Sequence, residues 1–135
     1  MELDEARAFL REHHRGILAT VRNDGRPQMS PVSVALDRAG RPAISTREAS
    51  FKVRNIRKDP HVSLCVTSDD FWSWIQIDGV AEVVSLPDAM DLLVEQYRTV
   101  AGEHPDWDEY RQAMQDQGRV ILRIDIERAG PERHA

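Results

Sequence analysis

The stretch from 16 to 46, GILATVRNDGRPQMSPVSVALDRAGRPAIST, constrains the fold more than any other part of the chain. It holds three short runs rich in β-formers, at 16–22, 28–37 and 42–46, with only a few residues between them. Asn23-Asp24-Gly25 fills the first gap and Arg38-Ala39-Gly40-Arg41 the second. Asn, Asp and Gly tolerate the positive φ that tight hairpins need, so both gaps read as turns. Pro27 can only begin a strand or lie at an edge, because it has no N–H for a central ladder. The result is a three-strand antiparallel meander.

The remaining pattern extends this unit. HVSLCVT (61–67) and WSWIQIDGVAEVVS (72–85) read as strands, with a bulge expected at Gly79, and GRVILRIDIE (118–127) as a last one. Helices fall between them. Ala6, Phe9 and Leu10 form an apolar stripe over 4–14, and Gly16 is read as its stop. Val53 and Ile56 lie three apart in a second helix, which Asp59-Pro60 ends. Ser50 is a candidate N-cap for it, and Ser45 with Glu48 an alternative capping box. Met90, Leu93, Val94, Tyr97 and Val100 share the face of a third. A fourth begins at HPDWDEYRQAM, with Asp106 and Glu109 spaced as a capping box and Trp107, Tyr110 and Met114 on one side. Six short, mostly hairpin-linked strands with inserted helices predict a small β-barrel of α+β type. The 135 residues suit one domain, 1–135.

Charge narrows the partners. The net charge is −5, yet residues 47–59 carry five basic side chains against two acidic ones. An acidic body with one basic patch argues against nucleic acid, which needs a broad basic face, and favours a discrete anionic ligand. Cys65, the only cysteine, reads as a small buried hydrophobe. The N-terminus has no apolar targeting core and no run of 18 apolar residues occurs, so the expectation is a cytoplasmic protein without a membrane partner. The five histidines lack metal-ligand spacing, and no metal site is expected. Neither G-x-G-x-x-G nor a P-loop is present, and no nucleophile motif occurs. Any catalysis would rest on an organic cofactor, and no catalytic side chain is assigned.

Two places could hold such a group. Lys52 lies near a helix N-terminus beside Ser45, Thr46 and Ser50, and free N–H groups, hydroxyls and an ammonium together suit phosphate. Arg47, Arg54, Arg57 and Lys58 meet either a longer anionic tail or water. Second, Trp72, Trp74, Gln76 and Asp78 share one strand face, opposite Ser73, Ile75 and Ile77. Two indoles side by side need cover, from the chain's own helices, a second subunit or a planar ligand. The strand at 28–37 adds a polar start, Gln28 and Ser30, to the face that carries Val32, Val34 and Leu36. That edge suits either solvent or the rim of a bound ring.

In this order and spacing, GILATVRNDGRPQMSPV, FKVRNIRKDPHVSLCV and DDFWSWIQIDGVAEVV resemble the pyridoxamine-5′-phosphate-oxidase-like split β-barrel family. YRTVAGEHPDWDEYRQAM with RVILRI is similar to its flavin/deazaflavin oxidoreductase branch that uses coenzyme F420. The resemblance covers about residues 5–127 and implies a homodimeric split barrel with two interface sites. It places the cofactor phosphate at Ser45, Thr46, Ser50 and Lys52, with Arg47 nearby, and the ring against Gln28, Ser30 and Pro31. Arg54 further along the helix would meet an anionic tail, and Trp72 and Trp74 would come from the partner. The chain departs from the branch's pattern at Ser50, where an arginine is frequent, and at Pro31, where an amide occurs. FMN is the alternative cofactor, and it would leave Arg54, Arg57 and Lys58 without an anion. A non-catalytic cofactor carrier would share all these residues. The substrate would be a small organic molecule.

Overall fold

The structure, a computed structural model, describes residues 1–134, with side chains through Pro131. Six strands, β1 (Arg15–Val21), β2 (Pro27–Leu36), β3 (Pro42–Arg47), β4 (His61–Thr67), β5 (Ser73–Val84) and β6 (Arg119–His134), are accompanied by four helices. The helices are α1 (Leu3–Glu12), α2 (Phe51–Lys58), α3 (Ala89–Ala101) and α4 (Trp107–Gln117), in the chain order α1-β1-β2-β3-α2-β4-β5-α3-α4-β6. The strands close into a barrel in the order β1-β2-β3-β6-β5-β4, with every pair antiparallel. This is the expected α+β barrel.

Both meander turns use one device. In the first, the Gly25 N–H donates to Arg22 O (2.9 Å) and the Arg22 N–H to Arg26 O (2.8 Å). In the second, Gly40 donates to Asp37 O (3.1 Å) and Asp37 to Arg41 O (2.8 Å). The glycines take φ +84° and +79°, which a Cβ would penalise.

Strand alternation divides the side chains. Leu18, Val34, Ile44, Leu64, Ile75, Ile77, Leu122 and Ile124 fill the interior, joined by Ala6, Phe9 and Leu10 of α1 and by Val53 and Ile56 of α2. A second core lies outside the barrel, where Leu93 and Val94 of α3 and Tyr110 and Met114 of α4 pack on Ala43 and Ile121. The outward residues of β1 and β4, such as Ile17, Ala19 and Ser63, belong to neither core. No helix among the described residues is long and apolar enough to cross a membrane.

Four expectations are corrected. Gly16 does not stop α1, which ends at Glu12; it lies inside β1, where a Cβ would come 3.0 Å from the Cys65 carbonyl oxygen. Cys65 points outward and is half-buried rather than part of the core. Trp72 precedes β5 instead of opening it. β6 runs to His134, well past residue 127. The Ala129-Gly130-Pro131 sequence resembles a stop, but Pro131 falls where the register slips between Trp74 and Gln76. An irregularity of that kind tolerates a residue without an N–H. The bulge expected at Gly79 is present, with a slip between Asp78 and Gly79. A Cβ there would collide with the Asp125 carbonyl oxygen and lie 2.8 Å from Ile124 Cγ2.

Candidate functional site

Helix α2 begins at Ser50, not at Ser45, because the Ser50 hydroxyl accepts the Val53 N–H (3.4 Å) and so satisfies one free donor of the first turn. Thr46 Oγ1 donates to the same hydroxyl (3.5 Å), tying the end of β3 to the start of the helix. Val53 and Ile56 anchor it in the barrel. Asn55 is buried with them; its amide donates to Thr20 Oγ1 (3.0 Å), which in turn donates to Gln28 Oε1 (3.4 Å).

The basic side chains of residues 47–59 sort into used and unused. Arg57 pairs with Glu48 at 2.6 Å, and Lys58 donates to Asn23 Oδ1 at 3.2 Å. Arg54 lies over the Phe51 ring, 5.4 Å from its centroid. Lys52 and Arg47 have no such partner among the described residues.

Lys52 instead faces a cleft of about 630 Å³ between the barrel and the α3–α4 pair. Pro31, Ser45 and Thr46 line it on the barrel side, and Tyr97, His104 and Tyr110 on the helical side. Arg119, the first residue of β6, enters the same wall. Burial and the Arg119 charge hold the Lys52 ammonium below the usual lysine range. Burial, and then Arg47, likewise pull Arg119 below the ordinary arginine range, with Tyr110 opposing. Two partly buried cations share this wall, and an anion placed there would offset the cost of carrying their charge.

The opposite wall is aromatic and rigid. The ring centroids of Tyr97, His104, Trp107 and Tyr110 all lie within 5.0–5.8 Å of one another. The Tyr110 hydroxyl donates to Leu93 O (2.9 Å), and the buried Gln96 amide donates to Ser33 O (3.2 Å). The Asp106 N–H donates to His104 Nδ1 (2.9 Å). That nitrogen must therefore be bare, which leaves the Nε2–H tautomer at the cleft wall.

The sequence-derived candidates divide accordingly. Pro31, Ser45, Thr46 and Lys52 meet in the cleft. Ser50 stands behind them as the helix cap. Arg47 is exposed at the end of β3, directly across from Arg119. Gln28 and Arg54 line a neighbouring hollow of about 600 Å³ with Phe51 and Asn55. Ser30 faces the interior across from Leu18, and its buried hydroxyl has no partner among the described residues. Trp72 (56% exposed) and half-buried Trp74 lie away from the cleft. Before Trp72, Phe71 takes φ +78°, a left-handed conformation that is costly for an aromatic residue.

Arg119, His104 and Gln96 escaped the sequence reading. No local pattern couples residue 119 to 47; only the strand order β3–β6 does. The His104 signal, an Asp two positions on, is too common to read alone.

Comparison with known proteins places this geometry in context. The family model described as pyridoxamine 5′-phosphate oxidase matches residues 3–131. A crystal structure of the conserved hypothetical protein Rv2991 from Mycobacterium tuberculosis is 27% identical, with a TM-score of 0.80 over 99% of this chain and 85% of that one. A protein described as an F420 reductase is similar at 24% identity and TM-score 0.71, over 91% of this chain and 94% of the other. The heme storage protein HutZ from Vibrio cholerae has TM-score 0.72 at 21% identity, over 98% and 96%. At such identities the last two show a shared fold.

Proposed function

This chain belongs to the pyridoxamine 5′-phosphate oxidase family, and on that premise we propose that it is an oxidoreductase that moves hydride between reduced coenzyme F420 and a small organic substrate. The observation that carries the reading is the cationic wall of Ser45, Thr46, Lys52 and Arg119 facing an aromatic wall across one cleft. The wall's hydroxyls and cations fit a phosphoryl group, and the exposed Arg47 beside it fits a further negative charge. The similarity to an F420 reductase supports the choice of cofactor.

When bound, the deazaflavin would supply a hydride-donating carbon and little single-electron chemistry. The chain's own part is positional. Lys52 and Arg119 would hold the anionic end, and Pro31 presents a flat, donor-free surface beside it. Tyr97 and Tyr110 keep water from the opposite side. His104 presents an N–H donor to whatever oxygen or nitrogen comes beside it. No side chain is assigned as the catalytic acid or base, and solvent would supply the proton.

The proposal includes a homodimer and a cytoplasmic location. Met29 (62% exposed), Phe71 (67%) and Trp72 (56%) are large apolar surfaces that a second copy would cover. They stand at the margins of the β1–β4–β5 side, which α3 and α4 leave open.

The test is calorimetric titration with coenzyme F420 and, separately, with FMN, on protein whose mass in solution is measured alongside. Micromolar or tighter F420 binding with weak FMN supports the reading. Lys52→Ala should then lose roughly 1.5–3 kcal/mol of affinity, as for one charge-assisted contact. FMN preference moves the protein to flavin chemistry. Binding without turnover, as a carrier would show, removes the enzymatic part.

A further inference from the structure

Arg119 and Arg47 are cross-strand partners at the start of β6 and the end of β3. Partners in an antiparallel ladder project their side chains to the same side, with Cβ atoms roughly 5 Å apart, and like charges so placed repel. Four positions along β6, the same kind of residue is treated differently: Arg123 makes a two-pronged ion pair with Glu82, at 3.0 and 3.2 Å. Arg119 has no carboxylate within 4.0 Å among the described residues, and neither has Arg47 or Lys52. Its one protein hydrogen bond among the described residues, from Nε to Gln117 Oε1 (2.8 Å), orients the guanidinium and leaves both terminal NH2 groups free of a protein acceptor in a residue that lines the cleft. Glu109 is the acid on the cleft wall, and it forms no ion pair with either cation.

We infer that Arg119 is a ligand-binding residue of the cleft. With Lys52 and the Ser45 hydroxyl it holds a phosphoryl group, and Arg47 at the rim makes the site selective for a ligand with at least two negative charges at that end. Three cations from three elements, two of them half-buried, exceed what a single carboxylate would neutralise. A planar guanidinium next to a point-like ammonium is a donor set that matches the oxygens of a tetrahedral phosphoryl group. Arg119 comes from a strand more than sixty positions along the chain from Lys52, so the site forms only when the barrel is closed.

This inference deepens the cofactor reading and rests on it for the physiological ligand, but its test does not need a cofactor. Inorganic phosphate and pyrophosphate are titrated into the intact protein, followed by calorimetry and phosphorus NMR, with chloride at matched ionic strength as the reference. Pyrophosphate should bind more tightly than phosphate, and phosphate more tightly than chloride. Arg119→Gln should weaken phosphate binding on the order of tenfold. Arg119→Lys, which keeps the charge, should retain part of the affinity. Arg111→Gln, the same charge change on the exposed side of α4, should leave it unchanged. Equal phosphate affinity in Arg119→Gln and the parent, or no preference for phosphate over chloride in the parent, overturns the inference. If Arg119→Gln loses phosphate while neither F420 nor FMN binds the parent, the anion site stands and the oxidoreductase reading falls. If a cofactor binds the parent and Arg119→Gln equally well, the reverse holds.

Discussion

At the scale of single residues, Thr20 shows how closely the interior is specified. The residue is 1% exposed, and its hydroxyl links Asn55 of α2 to Gln28 of β2, accepting from one and donating to the other. Thr20→Val keeps the shape and removes both bonds, leaving the Asn55 amide buried without an acceptor. The expected loss is about 1–3 kcal/mol in chemical denaturation, because an orphaned buried donor costs more than a bond is worth. A change within ~0.5 kcal/mol, ordinary for a surface site, would remove the network from the account. Single residues were also where the sequence was most uneven as a guide. Ser50 as cap and Lys52 in the first turn beside the cleft follow from local rules about helix starts, and those rules need no knowledge of the rest of the chain. Thr20 looked like any strand residue, since its partners lie eight and thirty-five positions away. Arg119 was hidden for the same reason. Its neighbours in space are fixed by which strand meets which, and alternation of apolar and polar residues cannot encode that order.

At the scale of elements, the register slip between β5 and β6 at Gly79 makes the sharpest case. Gly79 sits against the backbone of β6, and the space a methyl group needs is taken by the Asp125 carbonyl. Gly79→Ala should cost about 1–3 kcal/mol or more, because backbone cannot yield as a flexible side chain does. Thermal unfolding measures it, and an unchanged melting temperature would show that the two strands are looser here than their register implies. The elements themselves were mostly legible. Both meander turns, the ends of α2 and the bulge all follow from residues whose backbone preferences are strong: Gly, Pro, Asp and Ser. One misreading arose where a residue type serves two purposes: Gly16 permits close approach of β4 rather than ending a helix.

At the scale of the whole molecule, charge sets the pH range of stability. Burial raises Asp78, but hydrogen bonds from Arg128, Gln76 and Ser63 outweigh it, so its carboxyl stays below the usual aspartate range. Arg123 draws Glu82 down in the same sense. A carboxylate lowered in the folded state contributes stability that is complete above its unfolded value, near pH 4, and that is lost as pH falls through the folded value. The melting temperature should therefore drop between roughly pH 5 and pH 3, and less steeply in Asp78→Asn/Glu82→Gln. Parallel profiles would assign the acid limb to other groups. Lys52 works with the opposite sign: its penalty is full below its lowered value and fades as pH rises through it. The barrel's order carries one more consequence, in time rather than in space. β6 follows all five other strands in the chain, yet it is the stave between β3 and β5. During synthesis the first five strands leave the ribosome with two open edges, and neither can be paired until residue 119 and those after it emerge. Closure is thus a late event dominated by distant contacts, and the cleft wall that joins Arg119 to Lys52 is completed in the same step.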